Sequence, residues 1–576
     1  MTALTEQRSN WPERNPKPIW RICQTEPDNY YMQTAKCSFD NRSRPSCNTQ
    51  PFPRRCASPA RALECGGKRS ATPLWIEKER PSANSGSQPE SGVALRLPPN
   101  SKTWRCFGLV LSALLIALST AALGAESEDK ARFSDQPAPL QLEGFPERPP
   151  LLLELGDKFL STGNLHRGFT LPTGANWTPN LWVYGTLRSA VQTFDDGGNG
   201  TRTSEWANRL DLFANLQFSA TERILVGFRP VDQNSTPARF SGYQFEPVSA
   251  PPGHKSLGDR GWVDAFSATP RTFFFEGEFG EIFPKLDQHD KRNFDYGFAV
   301  GRQSLTLQDG ILANDDSIDM FSISRIGLRV PGGSTLRLTG YYAWDQIERA
   351  DNARDKGASL FGLEAIADFP VCTVDADLAY VTSTAGGDGF YAGIGSNQRI
   401  GKFNTVFRAN TSVAVDHESD RVRNGTLLFG ECSYTMPYGE DLVYLNGFWG
   451  IDHFSSADRA PSAGGPLGRV GILNAAVGLG RYGAPLSNQA DNAVGGALGY
   501  QMFFGELKRK QLILELGGRA PTRAPTLLRQ QPAEGIGARY QQAFGRRLVV
   551  ILDTFGVLRE NSEESWGGRL EFLVKF

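Results

Sequence analysis

From residue 181 to the C-terminus the chain is written in runs of about ten residues that alternate apolar and polar side chains. Leu210, Leu212, Ala214, Leu216 and Phe218 alternate with Asp211, Phe213, Asn215 and Gln217, and Leu512, Leu514 and Leu516 with Ile513 and Glu515. Period two over that length specifies strands with one apolar face. The spacing i, i+3, i+4 that helices need is not sustained anywhere in this region. The links between the runs carry a second regularity. Short ones join 206–219 to 223–230, 320–330 to 335–345, 358–368 to 372–383, 388–398 to 402–414, 424–435 to 441–451, 492–505 to 509–520 and 533–544 to 547–558. Between these pairs lie the longer polar links 195–205, 231–270, 305–319, 346–357, 415–423, 452–491, 521–532 and 559–565. Two links depart from the rule, 384–387 by being short and 281–294 by being long.

A sheet of such strands hides its apolar face either inside a soluble sandwich or outside a closed ring, against lipid. The segment ahead of the strands decides between them. Residues 101–125, SKTWRCFGLVLSALLIALSTAALGA, place Lys102 and Arg105 before an apolar run from Phe107 to Leu118 and then small residues. That is the layout of a secretory signal peptide, with a single membrane anchor as the alternative. Export, strand length and the alternation of short and long links together predict an all-β chain. Its fold class is a transmembrane antiparallel up-and-down β-barrel of about 18 strands over 181–576, with both ends on the short-turn side.

The part before the strands has another character. Residues 1–125 carry a charge of +8 and the remainder −9, and six of the eight cysteines precede residue 107. Residues 1–100 are Pro-rich without apolar periodicity, so they are expected to be disordered, and translation is expected to begin near 93–101. Cys23, Cys37, Cys47, Cys56 and Cys65 form no CxxC pairs, which argues against a zinc module. Residues 126–180 read as a Pro-rich periplasmic linker, with one short helix at Leu151–Leu160.

Strand parity assigns the wall charges. A cation on the lipid face costs about 2–4 kcal/mol at mid-bilayer, so charges belong in the lumen. The expected pore-lining set is Arg209, Asp211, Arg325, Arg329, Arg337, Asp375, Asp377, Arg408, Glu515, Arg519, Arg539 and Arg569. These side chains either stiffen the wall as salt-bridge ladders or act as a charged filter; parity permits both. Link 305–319 is too apolar for an exposed loop, so it is expected to fold into the lumen and narrow it. Asp309, Asp315, Asp316 and Asp319 would form that constriction, with wall arginines as partners for the last three. The D-x-D-x-D-G spacing of a calcium loop is absent, and no metal or cofactor is expected.

The last eleven residues, WGGRLEFLVKF, set Leu570, Phe572, Val574 and Phe576 on one face and Arg569, Glu571 and Lys575 on the other. This strand resembles the assembly signal of bacterial outer-membrane barrels, with Phe572, Val574 and Phe576 as the recognised residues. The whole pattern looks like Gram-negative porins. The stretch Ala299-Val300-Gly301-Arg302-Gln303-Ser304-Leu305, with Asp309-Gly310-Ile311-Leu312 and Asp315-Asp316 after it, resembles the alginate-export porin family. That resemblance implies 18 strands, a narrow Arg-lined passage and an anionic polysaccharide as cargo. The implied partners are outer-membrane lipid, the barrel-assembly machinery, and small solutes or an anionic saccharide, with no nucleic acid. The implied location is the cell outer membrane, and no catalytic residue is expected. Two other readings stay open: a barrel enzyme of protease or lipase type, for which Asp452-His453 is half a dyad, and a non-conducting structural barrel. Gly478 to Gly483 matches GxGxxG without the strand and helix that a dinucleotide site requires. Cys372 and Cys432, three strands apart, lie beyond disulfide reach.

Overall fold

The computed structural model describes residues 149–576, apart from 160–165, 167, 196–201, 234–238, 247–259, 288, 290–291, 438, 506, 526–529 and 561. The segment expected to be a signal peptide and the residues before it lie outside the described residues, as does the expected linker up to residue 148. Among the described residues eighteen antiparallel strands form the wall. In chain order they are β1 Asn180–Asp195, β2 Arg202–Gln217, β3 Arg223–Phe228, β4 Pro270–Glu278, β5 Tyr296–Leu307, β6 Ala313–Leu328, β7 Thr335–Asp345, β8 Ala358–Asp368 and β9 Cys372–Ser383. The ring continues with β10 Gly389–Ile400, β11 Phe403–Ala414, β12 Gly425–Thr435, β13 Leu442–His453, β14 Asp491–Phe504, β15 Lys510–Pro521, β16 Ala533–Phe544, β17 Leu548–Arg559 and β18 Ser565–Lys575.

Each strand pairs with the next, and β18 pairs with β1 from Trp566↔Asp195 to Lys575↔Thr186. Phe576 completes the seam by exchanging two backbone hydrogen bonds with Gly185, at 2.7 and 3.0 Å. Closure leaves no unpaired edge, which a sheet surrounded by hydrocarbon cannot tolerate. No helix among the described residues is long and apolar enough to cross a membrane.

The side chains confirm the sense of the alternation. On β15 Leu514 and Leu516 are exposed while Ile513 and Glu515 are buried; on β18 Leu570 and Phe572 are exposed while Arg569 and Glu571 are buried. Tyr342, Trp344, Trp449 and Trp566 stand on the same outer surface. The greasy rows therefore face outward and the charges inward, the reverse of a soluble sandwich.

Three links differ from their expected form. In place of a 305–319 loop, β5 runs on to Leu307 and β6 starts at Ala313, leaving a tip of only Gln308–Leu312. Above a register shift between Gln303 and Leu305 this hairpin leaves the wall and bends into the lumen. Gly301 permits the bend: its φ is +124°, and a Cβ there would overlap the carbonyl oxygen of Phe273. Link 231–270 is not all loop, because Arg239–Gln244 pairs with Glu205–Asn208 of β2 and with Gly261–Val263. Those short strands extend the wall above β3, which stops just before Arg229 and Pro230; a proline cannot donate to the ladder. Link 452–491 is likewise not an external loop. Leu467, Val470, Leu473, Leu479 and Leu486 are fully buried inside the barrel.

These inward segments build a second core within the lumen. Leu305, Leu307, Ile311 and Leu312 of the hairpin pack with Ile347, Val422, Phe454, Ala457, Leu467 and Val470 of three other links. Residues ahead of β1 also have a place. Leu153–Leu155 forms a strand against Leu181–Val183, where a helix had been expected, and Trp182 donates to the Asp157 carbonyl at 2.9 Å.

Candidate functional site

The lumen charges fall into three networks. The first spans the seam. Arg188 on β1 holds Glu571 at 2.6 Å, Arg569 bonds both Glu571 and Asp553 (2.6 Å to the latter), and Arg539 on β16 reaches Asp553 at 2.5 Å. Four strands are thus joined by one chain of ions, all from positions that alternate with the lipid face.

The second network ties the wall to the bent hairpin. Arg209 and Arg229 flank Asp211 at 2.9 and 2.7 Å. Arg229 also reaches Asp316 on the inward part of β6 at 2.8 Å, and Arg271 reaches the other oxygen of Asp316 at 2.6 Å. One carboxylate of the hairpin is therefore gripped by two wall arginines. The third network holds the tip. Arg408 on β11 binds Asp375 and Asp309, each at 2.5 Å, and Gln308 donates to Asp375 and Asp377 at 2.8 and 2.7 Å. Arg469 of the 452–491 segment approaches Glu431 at 3.4 Å and Asp309 at 3.8 Å. Gln308 and Asp309 both have positive φ, 50° and 54°, a strained backbone that these side-chain bonds hold in place.

The segment 452–491 is anchored by the wall in the same manner. Glu515 accepts from the backbone of Ile472 and Leu473 at 2.9 and 2.8 Å and from the Tyr444 hydroxyl. Arg519 donates to the carbonyl of Leu486 at 3.2 Å. The GxGxxG stretch has its explanation here. Arg209 donates to the Gly478 carbonyl at 3.2 Å, and a Cβ at Gly480 would overlap Gln192 and Glu205 of the wall. These glycines allow a close approach to β1 and β2.

Below the hairpin a cavity of about 1080 Å³ opens toward the short-turn end. Asp211, Arg229, Arg271, Asp316, Arg337 and Glu364 face it, and Ser219 and Thr221 of the first short turn stand at its mouth. Arg337 pairs with Glu364 at 3.1 Å.

Two residues chosen by parity stand at the short-turn end, Arg325 lining the cavity there and Arg329 exposed at the turn. Arg325 shares the parity of the outward Phe321 and Ile323, and beyond it a register shift at Gly327 (φ +76°) ends the regular wall. Its guanidinium caps the carbonyls of Arg292 and Asp295 and lies 4.7 Å from the Tyr296 ring centre, at the short-turn rim. Arg329 follows β6 and is exposed at the turn. Neither belongs to the three networks. Asp319 meets Arg302 (2.7 Å), its own hairpin partner, rather than a distant strand, and Asp315 bonds the backbone of Ser317. Arg229 and Arg271 are absent from the expected set. Arg229 has the parity of the buried Leu225 and was recoverable from the pattern. Arg271 was not, because a register shift between Pro270 and Thr272 turns it inward.

Of the remaining candidates, His453 approaches Asp491 at 3.6 Å and Asn492 at 3.4 Å, and Asp452 pairs with Arg523 at 2.8 Å. Among the described residues no serine hydroxyl is hydrogen-bonded to this histidine. Cys372 and Cys432 are free thiols.

The ring, its apolar outer belt and its ionic lumen define a transmembrane β-barrel of the outer-membrane type. No protein-family model matches the chain, and no curated protein matches it in sequence. Solved structures similar to it include Pseudomonas aeruginosa OccK2 (OpdF), at 12% identity over 68% of this chain and 97% of that one, TM-score 0.45. Another is the BenF-like porin from Pseudomonas fluorescens Pf-5, at 13% identity over 69% and 98%, TM-score 0.46. A third is P. aeruginosa OpdK solved with vanillate, at 14% identity over 69% and 98%, TM-score 0.42. The likeness to all three is one of fold.

Proposed function

We propose that this chain is an outer-membrane porin that passes small solutes passively, with selection by charge. The observation that carries the reading is the cavity of about 1080 Å³ inside a closed ring, capped by arginines and carboxylates that converge from wall and hairpin. A filled structural barrel has no use for such a chamber, and ionic side chains at its narrow end discriminate among solutes by charge. The apolar core built by the inward links makes the resting passage narrow. Conduction then requires the hairpin or the 452–491 segment to shift.

An anionic saccharide as cargo is the finer part of the proposal. It rests on the resemblance around Gly301-Arg302-Gln303, whose residues form the bend: glycine turns the strand, Arg302 clamps Asp319, and Gln303 donates to Met320. The outward Phe572, with Val574 and Phe576 beside it on the seam strand, is the proposed signal to the assembly machinery. Planar-bilayer recording of the refolded protein tests the main reading: discrete conductance steps are expected, and silence at all voltages would discard it. Competition by a uronate oligomer, but not by a neutral one, tests the cargo.

A further inference from the structure

Charge also collects outside the lumen, on the short-turn rim. The turn 505–509 with the first residue of β15, and the turn 545–547, carry Lys508, Arg509, Lys510, Arg546 and Arg547 against one acid, Glu506, a net +4. The preceding short turn, 436–441, has the opposite sign, with Glu440 and Asp441. The two basic turns are locked side by side. Arg509 donates to the Gly545 carbonyl, and its own carbonyl accepts from the Ala543 amide at 2.9 Å. On the far side the Lys575 amide donates to the Arg547 carbonyl at 2.8 Å, and the Arg547 guanidinium donates to the Pro150 carbonyl at 3.1 Å. Arg509 is thus engaged within the patch, whereas Lys508, Lys510, Arg546 and Arg547 are exposed. Among the described residues Lys508, Lys510 and Arg547 form no ion pair.

The patch continues the outer belt, not the bore. Lys510 has the parity of the outward Leu514 and Leu516 and stands in register between Phe504 on β14 and Gln542 on β16. Phe504 and Phe544 are exposed on that face. Leu153 and Leu155, paired with Val183 and Leu181 of β1, carry the exposed apolar surface past the seam. Along β15 the lipid face therefore turns from leucine to cation within two residues, about 6.8 Å, with aromatic rings on the neighbouring strands. That is the order in which a bilayer presents acyl chain and then headgroup, and rings and cations both favour that boundary.

We infer that this rim binds an anionic phospholipid of the periplasmic leaflet, its phosphate among Lys508, Lys510, Arg546 and Arg547 and its upper acyl chains against Phe504 and Phe544. Ammonium and guanidinium groups are the donors that phosphate oxygens take up best. A zwitterionic headgroup would add a cation of its own to a patch that is already net positive, so the anionic lipid is preferred. The acidic turn bounds the site on one side. Asp441 there is held by the Tyr500 hydroxyl and the Phe503 amide, each at 2.9 Å, and leaves Lys508 and Lys510 to the ligand.

The test does not involve conduction, so it fails separately from the porin reading. The full-length protein in detergent is titrated with phosphatidylglycerol or with phosphatidylcholine, and bound lipid is counted by native mass spectrometry. Phosphatidylglycerol is expected to bind more tightly, and its advantage to shrink as salt is raised, because the cations are exposed. K508Q with K510Q is expected to weaken phosphatidylglycerol about fivefold for each charge removed, about 25-fold in all, and to leave phosphatidylcholine unchanged. R399Q with K402Q removes the same charge from another short turn and is expected to have little effect. Equal binding of the two lipids by the unmodified protein overturns the site, whether or not the variants fold. Equal weakening in the two double variants overturns it as well, since net charge then accounts for the preference. Displacement of the lipid by an equimolar amount of inorganic phosphate overturns the assignment to a lipid.

Discussion

Asp316 is where the charge filter is most open to attack. It lies at the roof of the cavity and neutralises parts of Arg229 and Arg271 through contacts of 2.8 and 2.6 Å. Asp316→Asn keeps the shape and removes one negative charge, so the roof becomes more positive by one. An ion passing about 6 Å away in a water-filled lumen feels that change as about 0.7 kcal/mol, or about 0.4 kcal/mol with 0.1 M salt screening. The change favours an anion and disfavours a cation by the same amount. The anion-to-cation permeability ratio is therefore expected to rise about four- to tenfold, more at low salt. The assay is the reversal potential under a KCl gradient. Asp553→Asn serves as the control, because its partners Arg539 and Arg569 lie in the seam network, away from the cavity. A reversal potential unchanged by Asp316→Asn, or shifted equally by the control, would refute the claim that ions pass this roof.

Further outcomes follow from other contacts. Asp309→Ala cuts the tip from Arg408 and Arg469, and a charge-assisted contact of about 1–2 kcal/mol implies roughly five- to thirtyfold more open time in single-channel records. Gly301→Val sets a side chain against the Phe273 carbonyl at a φ of +124°; a cost above about 2 kcal/mol is expected, read as a lower midpoint in urea-driven unfolding from vesicles. Leu514→Arg puts a cation on the lipid face in the middle of β15 and is expected to cost about 2–4 kcal/mol in the same measurement. Full stability in that variant would contradict the outward orientation of the Leu514 row.

The eighteen wall strands were legible because a transmembrane wall leaves its pattern in every segment: one face must suit lipid, the other water, with a period of two. Leu512 to Leu516 and Leu570 to Phe572 carry that rule without any help from tertiary contacts. The short and long links followed from the same geometry, as did the buried places of Arg209, Arg408, Glu515 and Arg569. Local pattern fails wherever the register shifts. The breaks between Arg325 and Leu328 and between Pro270 and Thr272 each change which way a side chain points, so Arg329 is exposed at the turn and Arg271 faces the cavity. A bulge adds a single residue and leaves no mark in composition.

What fills the lumen was decided at a distance. Nothing within 452–491 announces that Glu515 and Arg519 will grip its backbone, or that the Asp458 carboxylate will accept from the Glu348 amide. Those contacts join residues 33 to 110 positions apart, through space that exists only once the ring has closed. The sequence determines a cylinder with a greasy outside because that requirement is repeated residue by residue. How the bore is narrowed depends on the tertiary structure, because each bond across it involves partners that no local spacing relates.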